Sequence, residues 1–154
     1  MSARFRFRLQ AVLDHRVRIV DERQRELAQK QRDFAQAQAV AAGLCADRES
    51  HRDALVRDHV RFDVDTLRAT YAHLAYLDRA IADHTVRVAA CGAEVEQAQR
   101  RLVEANTDCK VLETLKTRRH EAFVAQAAQV EQRDADDLNA RRYGRAHLSQ
   151  GNEP

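Results

Sequence analysis

The segment VRFDVDT at residues 60–66 decides the fold, because it interrupts a heptad repeat that runs on both sides of it. The last apolar seam residue before it is Leu55 and the first after it is Leu67, a spacing of 12 residues. Neither a heptad nor an insertion of three or four residues accounts for that spacing. The segment also carries Asp63 and Asp65, either of which can cap a new helix by accepting from its free N–H groups. We therefore predict a turn at about residues 61–65.

Apolar residues recur at every seventh position on each side of this segment. Such a repeat favours a left-handed supercoil, because the apolar seam must keep facing a partner helix. Many companion seam positions are small or polar, so the predicted seam is only partly apolar. The upstream series is Leu13, Val20, Leu27, Phe34, Ala41, Arg48 and Leu55, and the downstream series is Leu67, Leu74, Ile81, Val88, Val95, Leu102, Cys109, Lys116, Phe123 and Val130.

These two series predict an all-α fold in which two long helices form an antiparallel coiled-coil hairpin. We expect one hairpin domain at residues 1–148, with helices at about 7–60 and 66–143, and a disordered tail at 149–154. The second helix would overhang the first, and Phe123 and Val130 on the overhang would need a partner to cover them. The alternative architecture is one continuous helix that dimerises with a second chain.

Composition agrees with a thin helical seam and excludes several classes of protein. Aromatic residues make up only 5% of the chain, and its sole proline is the terminal Pro154, so nothing forces earlier residues out of a helix. The net charge of +2 comes from interspersed signs, which argues against nucleic-acid binding. We find no apolar run of the ~18 residues that span a membrane. The start MSARFRFRLQ lacks the apolar region of a secretory signal, and three separated cysteines suit free thiols in a cytoplasmic protein.

The sequence offers no constellation of residues that suits catalysis. The chain contains no phosphate-binding glycine loop and no HExxH motif. Its seven histidines include no pair four residues apart, the spacing that helical metal ligands favour. A helical hairpin also has no pocket that would exclude water from a reaction. We therefore predict a non-enzymatic protein with no cofactor and no metal.

Four segments resemble the FliJ family of flagellar type III export proteins. The first segment opens with FRFRLQAVLDHR at 5–16, continues as a Gln/Glu-rich helix through ERQRELAQ at 22–29, and looks like the start of that family. The central YAHLAYLDRAIADH at 71–84, then DCKVLETLKTRR at 108–119 and EQRDADDLNARR at 131–142, resemble its later parts. Coiled coils mimic each other in composition, so the order, spacing and combined length of the segments carry the resemblance.

The resemblance implies a function that heptad periodicity does not reveal. Members of this family are cytoplasmic parts of the export apparatus, peripherally associated with its inner-membrane components, and they resemble the coiled-coil shaft of the rotary ATP synthase γ subunit. They associate with the hexameric export ATPase, contact the cytoplasmic domain of the export gate protein FlhA, and escort export chaperones. We expect the same partners here, with no nucleic acid and no transmembrane segment.

The family pattern further implies a surface that faces the export gate. An aromatic residue, a Leu, an Ala and a His at offsets 0, 4, 7 and 11 correspond here to His73, Leu77, Ala80 and His84, with a histidine in place of the aromatic residue. Leu44 matches an apolar position on the facing helix. The alternative interpretation is that Leu77 only packs against the partner helix and that His84 is a solvated or half-buried seam histidine.

The open end of the hairpin suggests a surface that binds the ATPase ring. In a chain folded at about residue 63, its N-terminal apolar and basic residues lie near Phe123. Apolar residues framed by arginines suit the inside of a ring. The predicted ring-binding residues are Arg4, Phe5, Phe7, Leu9, Phe123 and Val130. Two alternative functions remain at this point: the stalk protein of a virulence type III secretion system, and a structural homodimeric coiled coil unrelated to secretion.

Overall fold

A computed structural model of the chain describes residues 4–58 and 60–150, with side chains described as far as residue 143. It contains two α-helices, α1 at Gln10–Asp58 and α2 at Val64–Gln150. The described residues include no β-strand. The predicted all-α fold with two long helices is therefore confirmed.

The chain reverses between Asp58 and Val64, within the segment where the heptad repeat breaks. The N–H of Arg61 donates to the carbonyl of Asp58 at 2.8 Å, which closes a tight turn after α1. The carboxylate of Asp63 accepts from the backbone N–H of Thr66 at 2.8 Å, which is the N-cap geometry expected of that aspartate. The other aspartate, Asp65, lies in the first turn of α2, where a negative charge suits the helix dipole.

The helix ends differ from those predicted. Helix α1 begins at Gln10, three residues later than expected, and Phe7 is buried ahead of it with only 6% of its surface exposed. The carbonyl of Phe7 accepts from the N–H of Gln10 at 3.2 Å and so forms the turn that leads into α1. Helix α2 continues to Gln150, past the predicted end at 143 and through Gly144. The rest of the predicted tail, residues 151–154, lies outside the described residues.

The chain divides into two compact units. The first combines the described residues of Met1–His15 with those of Asp108–Pro154, and the second is Arg16–Thr107. Helix α1 and helix α2 each contribute to both units. The predicted single domain at residues 1–148 stays a prediction.

In the second unit, ion pairs between α1 and α2 define an antiparallel register. Lys30 pairs with Glu94 at 2.7 Å, and Arg48 pairs with Asp78 at 3.4 Å. As the residue number rises along α1, the number of its partner on α2 falls by about the same amount. The helices therefore pair within one chain, as in the predicted hairpin and not as in a continuous helix.

The ion pairs of this unit show the register of the helices more than they add stability. The carboxylate of Glu94 raises the pKa of Lys30, and a hydrogen bond from Arg23 lowers the pKa of Glu26, which also accepts from Arg101 at 3.0 Å. These groups are close to solvent, where water and salt screen their attraction. Together they agree on one antiparallel alignment of α1 with α2.

Small side chains form much of the buried seam in the second unit. Ala37, Leu77 and Ala98 are only 3–5% exposed, and the heptad residues around them are half-buried. An added Cβ on Gly92 would lie 3.4 Å from the ring of Phe34, which is an ordinary van der Waals contact. The seam is thin, as the low aromatic content predicted.

Candidate partner-binding surfaces

An aromatic cluster joins the N-terminal segment to α2 in the first unit. The ring of Phe5 contacts the ring of His120 edge-on, with centroids 5.0 Å apart, and lies 5.6 Å from the ring of Phe123 at a tilt of 52°. Both separations lie in the range in which aromatic pairs attract through their quadrupoles. The predicted proximity of Phe5 to Phe123 is confirmed.

The other residues predicted to bind a ring fall into three environments. Arg4 and Val130 are exposed, the latter at 49% of its surface, whereas Leu9 is half-buried and Phe7 is buried. Phe123 is also half-buried beside Phe5, so the expectation that it is exposed on an overhang is wrong. Packing by Phe5 explains this difference, because the N-terminal segment reaches further along α2 than helix α1 does.

A cleft of about 610 Å³ lies beside this cluster and carries positive charge. Three of its lining residues are the cations Arg6, Arg8 and Lys116, and no carboxylate lines it. Its other lining residues are Phe5, Phe7, Gln10 and Ala11. An apolar floor with a basic rim suits an acidic, partly apolar partner surface.

Beyond the cluster, every residue from Val124 to Tyr143 is exposed. This exposed segment of α2, residues 124–143, carries Val124, Val130 and Leu138, with 49–57% of each residue's surface accessible. Scattered apolar residues on a surface need no explanation, but several along one unpaired helix suit a partner. The overhang predicted from the sequence therefore begins after Phe123.

In the second unit, the residues predicted to face an export gate do not form one exposed surface. His73 is exposed and its ring lies 4.6 Å from that of His51 on α1. Leu77 is 3% exposed, so it packs between the helices and cannot serve as a surface anchor while they stay paired. Ala80 and His84 are half-buried, as is Leu44 on α1.

The comparison with protein families decides between the possible kinds of coiled coil. The flagellar FliJ protein family matches residues 5–148. The chain belongs to this FliJ family. Membership makes it a flagellar export-associated protein and agrees with the predicted non-enzymatic role. No curated protein and no solved structure gives a significant match.

Two features of this FliJ-family chain do not follow from its heptad pattern. Lys116 interrupts the apolar heptad series, yet it lines the basic cleft with Arg6 and Arg8. The contact between His51 and His73 needed the register of the hairpin, because the two residues lie on different helices. Folding the sequence at residue 63 places these two positions opposite each other on the two helices, and this is how the contact could have been predicted from the sequence.

The thiols of this FliJ-family chain do not form a reactive site. Cys109 is 7% exposed, and burial with the nearby carboxylate of Glu113 raises the pKa of its thiol. A raised pKa keeps the thiol protonated and therefore a poor nucleophile. Cys45 and Cys91 are half-buried, and all three cysteines are free.

Within the part of the chain that the structure describes, no group of three or more His, Cys, Asp or Glu side chains is arranged to hold a metal ion. None of the described helices has the length and apolar character needed to cross a bilayer.

Proposed function

We propose that this FliJ-family chain is a non-enzymatic component of the flagellar type III export apparatus that binds the hexameric export ATPase as a central stalk. The observation that carries the proposal lies in the first unit. There the basic cleft at Lys116, the aromatic cluster of Phe5 with Phe123, and the exposed segment of α2 follow one another along α2. A ring with apolar and acidic groups around its central hole would complement all three features.

Within this proposal, the ring-binding residues have different tasks. Arg4 and Val130 contact the ring directly, because both are exposed. Phe5 and Phe123 shape the surface through their mutual contact, whereas Phe7 and Leu9 hold the N-terminal segment on the helix. Export chaperones bind the same protein, which acts in the cytoplasm at the periphery of the inner-membrane apparatus.

The test combines a pull-down of the full chain on the organism's flagellar export ATPase with an ATP hydrolysis assay. The double variant V130E/L138E places two carboxylates on the exposed segment of α2 and should abolish stimulation of hydrolysis. The matched control is V86E, because Val86 is 71% exposed on α2 in the second unit. Far-UV circular dichroism should show unchanged helix content in both proteins. Full stimulation by V130E/L138E would place the ATPase contact elsewhere.

We also propose that the second unit contacts the cytoplasmic domain of the export gate protein FlhA. Its contact surface includes His73 and the accessible edges of Leu44, Ala80 and His84, while Leu77 supports them from the seam. Replacing His73 with Ala should weaken binding to the isolated gate domain in a calorimetric titration. His15→Ala is the control, because His15 is exposed in the first unit. Equal affinity of both variants would remove His73 from the gate surface.

A further inference from the structure

Two histidines from facing helices meet on the surface of the second unit. His51 on α1 and His73 on α2 have ring centroids 4.6 Å apart, with 77° between the ring planes. Both residues are exposed. The ring of Tyr76 also stacks on that of His73, with centroids 6.2 Å apart. Among the ring contacts of the described residues, only this one joins two imidazoles.

The separation of the two rings matches that of imidazoles sharing one metal ion. A metal–nitrogen bond of about 2.1 Å puts the metal about 3.2 Å from the centre of each ring. Ligand angles of roughly 90–110° then place two ring centres about 4.5–5.2 Å apart. The observed 4.6 Å lies within that range. Because both rings are exposed, they can rotate about their side-chain bonds on the nanosecond scale to direct one nitrogen each at the ion.

The antiparallel pairing of α1 with α2 holds the backbones of the two histidines close together. Arg48 and Asp78 pair at 3.4 Å close to the histidines on the same two helices, in the same register. Because this pairing exists before an ion arrives, little ordering of the chain is needed on binding. A preformed pair of ligands loses less entropy on binding than two histidines on a mobile loop.

We propose that His51 and His73 form a binding site for a divalent late first-row transition metal ion, of which Ni²⁺ and Zn²⁺ are examples. Imidazole is a preferred ligand for these ions, whereas Ca²⁺ and Mg²⁺ prefer oxygen ligands. Water fills the remaining coordination positions, since the described residues supply no third His, Cys, Asp or Glu at the site. The bound ion is therefore exchangeable, and it links α1 to α2. This proposal does not depend on the export function.

The experiment is thermal unfolding of the full chain with Ni²⁺ alone, under reducing conditions that keep the three thiols free. A ligand that binds only the folded state raises its stability with concentration. At free Ni²⁺ about 100-fold above its Kd, we expect Tm to rise by roughly 5–10 °C. Excess EDTA should reverse the rise, and calorimetry should give one ion per chain at this site.

Variants assign the effect to these two residues. H51Q and H73Q should each lose the Ni²⁺-dependent rise, whereas H15Q should keep it, because His15 is exposed and belongs to the other unit. H51Y is a second variant that keeps an aromatic ring against His73 but removes the ligand, so it separates lost coordination from lost packing. The absence of any rise in the unmodified chain, or a full rise in H51Q and H51Y, would overturn the proposal.

Discussion

Replacing Leu77 with Ala separates the two roles that its position suggests. Leu77 is 3% exposed in the seam of the second unit, and the substitution removes about three carbon atoms from that seam. At about 0.8 kcal/mol for each buried carbon, lost burial alone lowers the free energy of unfolding by about 2.4 kcal/mol. Any cavity left behind adds to this, and measured Leu→Ala changes span about 2–5 kcal/mol. Because the seam is thin and can partly close, we expect a loss of about 2–3 kcal/mol.

The assay is urea unfolding of the full chain, followed by far-UV circular dichroism. In thermal unfolding, a loss of this size corresponds to a fall in Tm of about 4–12 °C for a chain of this length. Leu138→Ala is the matched control, because Leu138 is 57% exposed and its loss should cost less than about 0.5 kcal/mol. If L77A left the stability unchanged but weakened binding to the FlhA domain, Leu77 would be a surface anchor and our packing argument would be refuted.

Further substitutions test local features of the helices and their packing. Gly43→Ala should raise the free energy of unfolding by about 0.5–1 kcal/mol in the same urea assay, because an added Cβ meets nothing within 4 Å. Gly92→Ala should raise the free energy of unfolding by a similar amount, since its Cβ would make an ordinary van der Waals contact at 3.4 Å with the ring of Phe34; a loss of stability would show that the ring cannot accommodate it. Hydrogen bonds from Thr66 lower the pKa of Asp63. The carboxylate therefore stabilises the fold at pH values above the ordinary pKa of an aspartate, and this stabilisation is lost as the pH falls through the lowered pKa. Asp63→Ala should therefore lower Tm by about 1–4 °C at neutral pH and by less in acid, whereas Asp63→Asn should keep the cap. A fall in the Tm of D63A that is the same at every pH would contradict this reasoning. A double-mutant cycle on Phe5→Ala and Phe123→Ala should give a coupling of about 0.5–1.5 kcal/mol in urea unfolding, and additivity would mean that the two rings do not interact.

The fold could be predicted from heptad spacing, because that spacing is read directly from residue positions along the chain. The apolar series placed the turn near Asp63, and the register of Lys30 with Glu94 follows from folding the chain there. Folding the chain at the same point also places Phe5 near Phe123. Positions along the helices were therefore accessible from sequence alone.

Side-chain environment was less accessible, because heptad position does not give exposure. Leu77 matched a family pattern for a gate-facing residue, but its seam position makes it buried. Phe7 is buried ahead of α1, which begins only at Gln10. No helix propensity or capping residue in FRFRLQ indicates this later start. The heptad position of Lys116 indicates only a polar interruption of the seam, whereas its place in one cleft with Arg6 and Arg8 depends on how the chain packs.

The exposed segment of α2 has a consequence for the thermodynamics of any complex that it forms. An isolated helix of this length would be marginal in water, but this one continues from a packed helix and so avoids the unfavourable nucleation step. A partner that binds residues 124–143 therefore meets a helix that already exists, and no coil-to-helix transition accompanies binding. Its heat-capacity change should reflect only the surface buried between the two proteins, in contrast to the larger change of a segment that folds as it binds.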